Sequence, residues 1–253
     1  MGRPGRRALK ALLPEIIEAE EIDFTIANAE NAAGGMGVTA EVVEELLSLG
    51  IDVLTTGNHV WKNRNAYDII SSESRLLRPA NYPEGAPGQG GFVYRPEKTG
   101  PVAVLNLQGR VFMDAIDCPF QVASKEVERL SKEARVLIVD MHAEATSEKV
   151  AMAWFLDGRV SAVLGTHTHV QTADERLFPK GTAYISDAGM TGPYDSVIGV
   201  KHELIVERFI KRLPNKFELA SGTVQFNAVV LTIDNESGKP QTIRRVQRLI
   251  GPA

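Results

Sequence analysis

The chain has one cysteine in 253 residues, Cys118, so no internal disulfide can staple it and a reducing compartment is expected. Beside Pro119 that thiol reads as structural rather than catalytic. There is no apolar run of membrane-spanning length and no signal-peptide core, which points to a cytoplasmic protein without a membrane partner. No Gly-x-x-x-x-Gly-Lys-Ser/Thr loop is available to cradle nucleotide phosphates. Gly88-Gln89-Gly90 does not extend into a dinucleotide fingerprint, and no Gly-x-Ser-x-Gly elbow presents a nucleophilic serine. Excess positive charge is also lacking: the net charge of −4 argues against stable nucleic-acid binding. An anionic substrate would need local positive charge, which bound metal ions could supply.

What is present fits an enzyme with a substantial core. Hydrophobic residues make up 43% of the chain and charged residues 24%, as in ordinary globular proteins. Strand-like and helix-like segments alternate with no repeat and no linker, so residues 1–253 are expected to form a single α/β domain. The pattern predicts a helix from Pro4 to about Glu18, which Pro14 should kink or split. A strand follows at Phe24–Ala27, then a helix capped by Thr39 and ended by Gly50, then a strand at Ile51–Thr55. A mixed helix is expected over Arg64–Ser71, a long loop over Arg78–Gly91, and a hairpin from Gly91–Arg95 and Val102–Asn106. Helices near Ser124–Ala134 and Thr146–Leu156 alternate with strands Arg135–Asp140 and Val160–Leu164. The remainder reads as strands at Thr182–Ser186, Val224–Ile233 and Gln241–Arg248, with a helix near Lys201–Leu213.

Histidine is scarce, and its placement is informative. Of five histidines, four lie in Gly57-Asn58-His59, Met141-His142-Ala143-Glu144 and Gly165-Thr166-His167-Thr168-His169. Each segment follows an apolar run, as does Asn28-Ala29-Glu30-Asn31, which adds a carboxylate and two amides. One histidine after a strand is usually a plain loop residue, Asn58 alone could be a turn residue, and Glu30 alone could be a surface acid. Together they differ, because loops at the carboxyl ends of parallel strands converge on one crevice. Imidazole, carboxylate and amide donors gathered there suit manganese, iron or zinc and indicate a two-metal hydrolase centre. Arg64, Arg78 and Arg110 lie in loops that could face it, and Glu144 and Glu148 lie close to His142.

Gly57-Asn58-His59 and Gly165 through His169 resemble the Gly-Asn-His and Gly-His-x-His signatures of calcineurin-like metallophosphoesterases. Asn28 through Gly35, His142-Ala143-Glu144-Ala145-Thr146-Ser147-Glu148-Lys149 and Gly165 through Ala173 resemble the YmdB-like branch of that family. So do Arg78-Pro79-Ala80-Asn81, Asn106 through Arg110 and Met190-Thr191-Gly192-Pro193. The resemblance implies a four-layer α/β/β/α sandwich and hydrolysis of nucleoside 2′,3′-cyclic monophosphates, a small phosphodiester substrate. It implies attack by a hydroxide shared between two metal ions, iron or manganese first and zinc as a further fit. Carried onto this chain, Glu30 bridges the ions, Asn31 and His169 belong to the first, and Asn58, His142 and His167 to the second. His59 becomes the proton donor to the leaving oxygen. Homo-oligomers are compatible with the fold class.

The chain also departs from the resemblance. Members begin with a strand ending in Gly-Asp, whose aspartate ligates the first metal, and continue into Gly-x-Pro-Gly-Arg. Here Gly2-Arg3-Pro4-Gly5-Arg6 matches the continuation, and the strand and aspartate before it are absent from the sequence. A misassigned start or a truncated form is expected, with a weakened first metal site, lower activity, poorer solubility and exposed strand edges. Two alternatives accompany the phosphodiesterase reading: a phosphomonoesterase or nucleotidase on the same centre, and a metal-poor regulatory binding protein.

Overall fold

The computed structural model describes residues 1–96 and 99–251. Its helices are α1 (Gly2–Ala19), α2 (Ala40–Ser48), α3 (Ala66–Ser72), α4 (Pro119–Leu130), α5 (Thr146–Leu156) and α6 (His202–Lys211). The strands in the first two-thirds are β1 (Ile26–Asn28), β2 (Val53–Thr55), β3 (Gly91–Tyr94), β4 (Val102–Gln108), β5 (Val136–His142) and β6 (Ala162–Thr166). The last third supplies β7 (Arg176–Leu177), β8 (Ala183–Ile185), β9 (Gly192–Pro193), β10 (Val224–Ile233) and β11 (Pro240–Ile250).

Six strands form the main sheet in the order β3-β4-β5-β6-β8-β7, with β4, β5, β6 and β8 mutually parallel. Strand alternation fixes what each face does. Ala103, Leu105 and Leu107 of β4 and Leu137, Val139 and Met141 of β5 meet Ala123, Val127 and Leu130 of α4 and Met152, Ala153 and Leu156 of α5. Truncating one of these leucines to alanine should cost about 2–5 kcal/mol, since nothing nearby can refill the space. The opposite face begins apolar, with Val102, Val136, Ile138, Ala162 and Ala183 packed on Phe24, Ile26, Leu231, Ile233 and Ile243 of a second strand layer. Towards the carboxyl ends the same face turns polar, carrying Asn106 and Gln108, Asp140 and His142, and Thr166. That change places polar chemistry at one end of the inter-sheet space.

The second layer comprises the parallel pair β1-β2 and the antiparallel set β11-β10-β9. Helix α1 covers both pieces. Leu13 joins Val42, Val43 and Leu46 of α2 over β2, while Ile16 packs on Phe226 and Val246. Helices, sheet, second strand layer and helices together make the expected four-layer α/β/β/α sandwich. Pro14 does not split α1, which runs as one helix with buried Leu13 and Ile16 on either side of the ring. Burial of that apolar face holds the helix through the lost N–H donor. Helix α4 starts at Pro119, earlier than the apolar pattern indicated, because proline suits the first turn of a helix.

Between β1 and β10 the second layer is interrupted. Among the described residues β1 pairs only with β2, and the edge of β10 away from β11 meets β9 only at Val224 and Gln225. A cavity of about 590 Å³ lies there, floored by Val136, Ile138 and Leu164 and reaching Glu30 and Asn31 at one end. Among the described residues no helix is long and apolar enough to cross a membrane.

Candidate metal centre

Asn28 ends β1, Thr55 ends β2, His142 ends β5 and Thr166 ends β6, so the loops beyond them share one rim. Gly57 lets two of these strand ends close up. A Cβ there would stand 2.2 Å from the His142 ring and 2.3 Å from Glu30 Oε2, so no larger residue fits.

Around His142 Nε2 the structure gathers acceptor atoms: Asn58 Oδ1 at 3.1 Å, Glu30 Oε2 at 3.2 Å and His167 Nδ1 at 3.0 Å. One ligand atom each from Glu30, His142 and His167 lies within 4.8 Å of the others. His167 Nε2 is 3.0 Å from Glu144 Oε2. An ionised carboxylate only accepts, so the His167 proton sits on Nε2 and its Nδ1 lone pair faces His142. Oxygen and nitrogen lone pairs about 3 Å apart are the spacing of donors sharing one cation at about 2.1 Å. The donor set therefore fits a metal ion.

In the polypeptide alone, burial opposes ionisation of Glu30. Yet His142 and then His59 outweigh it and hold the carboxyl down at about 2. Burial likewise opposes the charged form of His142, but Glu30 prevails and raises its pKa. His167 is pushed down to about 4 by burial and then by His142.

Asn31 Nδ2 is 3.0 Å from His169 Nε2 and 3.3 Å from Glu30 Oε1. His169 Nδ1 donates to the Ile198 carbonyl at 2.9 Å, which leaves its Nε2 lone pair directed at Asn31. Burial, offset only in part by Ile198, lowers the pKa of His169. His59 Nδ1 donates to Asn31 Oδ1 at 2.8 Å, and its backbone N–H donates to Glu30 Oε2 at 3.2 Å. All seven residues singled out in the sequence thus meet at one place. Beside them the Met1 ammonium donates to the Thr191 carbonyl at 2.6 Å. Burial, then Arg6, lowers its pKa to about 5.

The arginines do otherwise. Arg78 is buried and donates to the carbonyls of Pro79, Ala86 and Pro87, pinning its own loop. Arg64 and Arg110 are exposed and make no hydrogen bond to the centre among the described residues. Glu148 accepts from the backbone N–H groups of Arg110 and Val111, a loop-holding role.

Sequence reasoning passed over the residues that brace the histidines. His167 and His169 both hold positive φ, +101° and +68°, a conformation that costs side-chain-bearing residues roughly 1–2 kcal/mol each. Between them Thr168 is fastened to Asp187 Oδ2 by its N–H at 2.9 Å and its hydroxyl at 2.8 Å. The same oxygen accepts from buried Lys149 Nζ at 3.1 Å. Asp140, pushed up by burial against the pull of His142, accepts from Thr55, Thr166 and Asn28. The signal was there to read: an aspartate inside the apolar run Val136–His142 and a lysine inside the buried face of an apolar helix.

Fold and site together define a phosphoesterase of the metallophosphoesterase type. A family model for YmdB-like proteins matches residues 1–246, and the chain belongs to that family. It is 46% identical over 246 residues to a Bacillus subtilis (strain 168) protein named 2′,3′-cyclic-nucleotide 2′-phosphodiesterase, covering 97% of this chain and 93% of that one. A Thermus thermophilus protein of known structure superposes with a TM-score of 0.92 at 41% identity, over 100% of this chain and 96% of that one. A phosphatase from Mycoplasma pneumoniae also reaches 0.92, at 33% identity, over 99% of this chain and 91% of the other.

Proposed function

We propose that the protein is a metal-dependent phosphodiesterase that opens nucleoside 2′,3′-cyclic monophosphates. The observation that carries this reading is the convergence of Glu30, Asn58, His142 and His167 acceptor atoms beside His59. The activity named for the Bacillus subtilis relative supports it. Glu30 would be shared by two ions, with Asn31 and His169 on the first and Asn58, His142 and His167 on the second. When bound, such ions neutralise phosphate charge and make a water acidic enough to attack at neutral pH.

The rest is the work of the chain. Water adds to phosphorus, one ribose P–O bond breaks, and the leaving oxygen needs a proton. Because His59 Nδ1 donates to Asn31 Oδ1, its Nε2 is the nitrogen left to deliver that proton. Asn31 in turn sits between His59 and His169, so the proton donor and a first-metal ligand share one anchor.

Hydrolysis of 2′,3′-cyclic AMP with added Mn²⁺ tests the proposal. His59→Ala should lower turnover by about 10²–10⁴-fold. Unchanged turnover in that variant would remove His59 from the mechanism, and no turnover in the parent chain under metal would count against the phosphodiesterase. The phosphatase name of the Mycoplasma pneumoniae structure favours a monoester as the second reading, and a panel of monoesters and cyclic diesters separates the two. A regulatory role without turnover predicts a biological effect that survives His59→Ala.

We also infer that the cavity between β1 and β10 has room for a further strand, on the ground of two facing strand edges and an apolar floor. A carboxylate carried there would add a ligand beside Glu30 and Asn31.

A further inference from the structure

Thr166 is the last residue of β6 and lies in register with His142, the last residue of β5. Its hydroxyl oxygen stands 2.7 Å from Asp140 Oδ1 and 2.9 Å from His142 Nδ1. A hydroxyl carries one proton and two lone pairs, so it can donate to only one of these neighbours. Asp140 also accepts from the Thr55 hydroxyl at 2.5 Å and the Asn28 amide at 3.1 Å. Thr55 and Asn28 both donate to Oδ2, so the carboxyl is used as an acceptor, and the Thr166 hydroxyl is the donor aimed at Oδ1.

We propose that Asp140 and Thr166 are positioning residues that set the tautomer of His142. Thr166 gives its proton to Asp140, so its oxygen accepts from His142 Nδ1–H. The His142 lone pair is thereby left on Nε2, the atom facing Glu30, Asn58 and His167. The hydroxyl serves as the link in a carboxylate–hydroxyl–imidazole relay. Such partners orient a ligating ring and make it more basic, and their loss typically weakens metal binding by about 10–100-fold. The strand order explains the arrangement. Asp140 and His142 share one face of β5, and parallel pairing with β6 brings Thr166 between their side chains.

This rests on the reading of the site as a metal centre, and the test separates the two. Zn²⁺ affinity is measured by calorimetry on the parent chain, Thr166→Val, Thr166→Ser and Asp140→Asn, with thermal melts of each metal-free protein as a folding control. Thr166→Val should bind about 10–100-fold more weakly, Asp140→Asn should weaken in the same direction, and Thr166→Ser should stay within about twofold of the parent. In the ¹⁵N spectrum of the Zn²⁺-loaded parent, His142 should show a protonated, slowly exchanging Nδ1 and a coordinated Nε2. Parent-like affinity in Thr166→Val, or a His142 coordinated through Nδ1, overturns the relay alone. A parent chain that binds no Zn²⁺ removes the metal reading and the relay with it.

Discussion

His142 ends β5 and His167 and His169 follow β6, strands paired on both sides within the main sheet, whereas Glu30 and Asn31 follow β1, which among the described residues pairs only with β2. The first group is braced. Asp140 and Thr166 hold the His142 ring, Glu144 holds that of His167, and the Lys149–Asp187 pair fastens the backbone between His167 and His169. The second group lies beside the Met1 ammonium, at one end of a cavity of about 590 Å³ that the three histidines also line. Ligand type alone does not make a metal site. What distinguishes the two groups is whether the strand before the ligands is itself paired on both sides.

Removing a ligand from each half should sharpen the contrast most. His142→Ala should cost more than about 100-fold in Zn²⁺ or Mn²⁺ affinity, beyond the loss of an outer partner, while Asn31→Ala costs less. Equal losses in calorimetric titrations would mean the halves are equally formed. Gly57→Ala should level both halves at once, because the new methyl collides with His142 and Glu30 together. Displacing reacting groups by about an ångström costs on the order of 10²-fold in turnover, measurable with 2′,3′-cyclic AMP.

Asp187→Ala would leave Lys149 as an uncompensated buried charge and release the His167–His169 loop. A loss of about 3–5 kcal/mol in urea unfolding is expected. Asp187→Asn, which keeps acceptor capacity, should cost less. The smallest effect belongs to the second group. The Met1 amine falls from 8.0 to about 5 on folding, so between those values the unfolded state holds more protons. Stability should therefore rise with pH across that window, by about 2 kcal/mol between pH 6 and pH 8. Chain extended beyond Met1 should lose that slope, and persistence of it would place the ammonium elsewhere.

Much of this was legible in the sequence. Thr146–Leu156 has its expected ends because the acids, the apolar face and the break at Asp157-Gly158 agree. The ligand candidates were legible because histidine is rare here and falls where apolar runs stop. Of the braces only the odd charge inside an apolar segment was legible, not its partner. Asp140 and Thr166 act across a strand pair, and Lys149 meets Asp187 across 38 residues, so neither partnership has a local signature. From the sequence Arg78 was one of three arginines in loops that could face the site. Its burial against three carbonyls depends on how the chain from Pro79 to Pro87 folds back, which no periodicity encodes.

The central claim, that Glu30, Asn58, His142 and His167 together hold a metal ion, is tested most directly by titrating Mn²⁺ into the parent chain and His142→Ala. The account predicts tight binding and turnover of 2′,3′-cyclic AMP in the first and loss of both in the second. Equal binding and equal turnover in the two chains would contradict it.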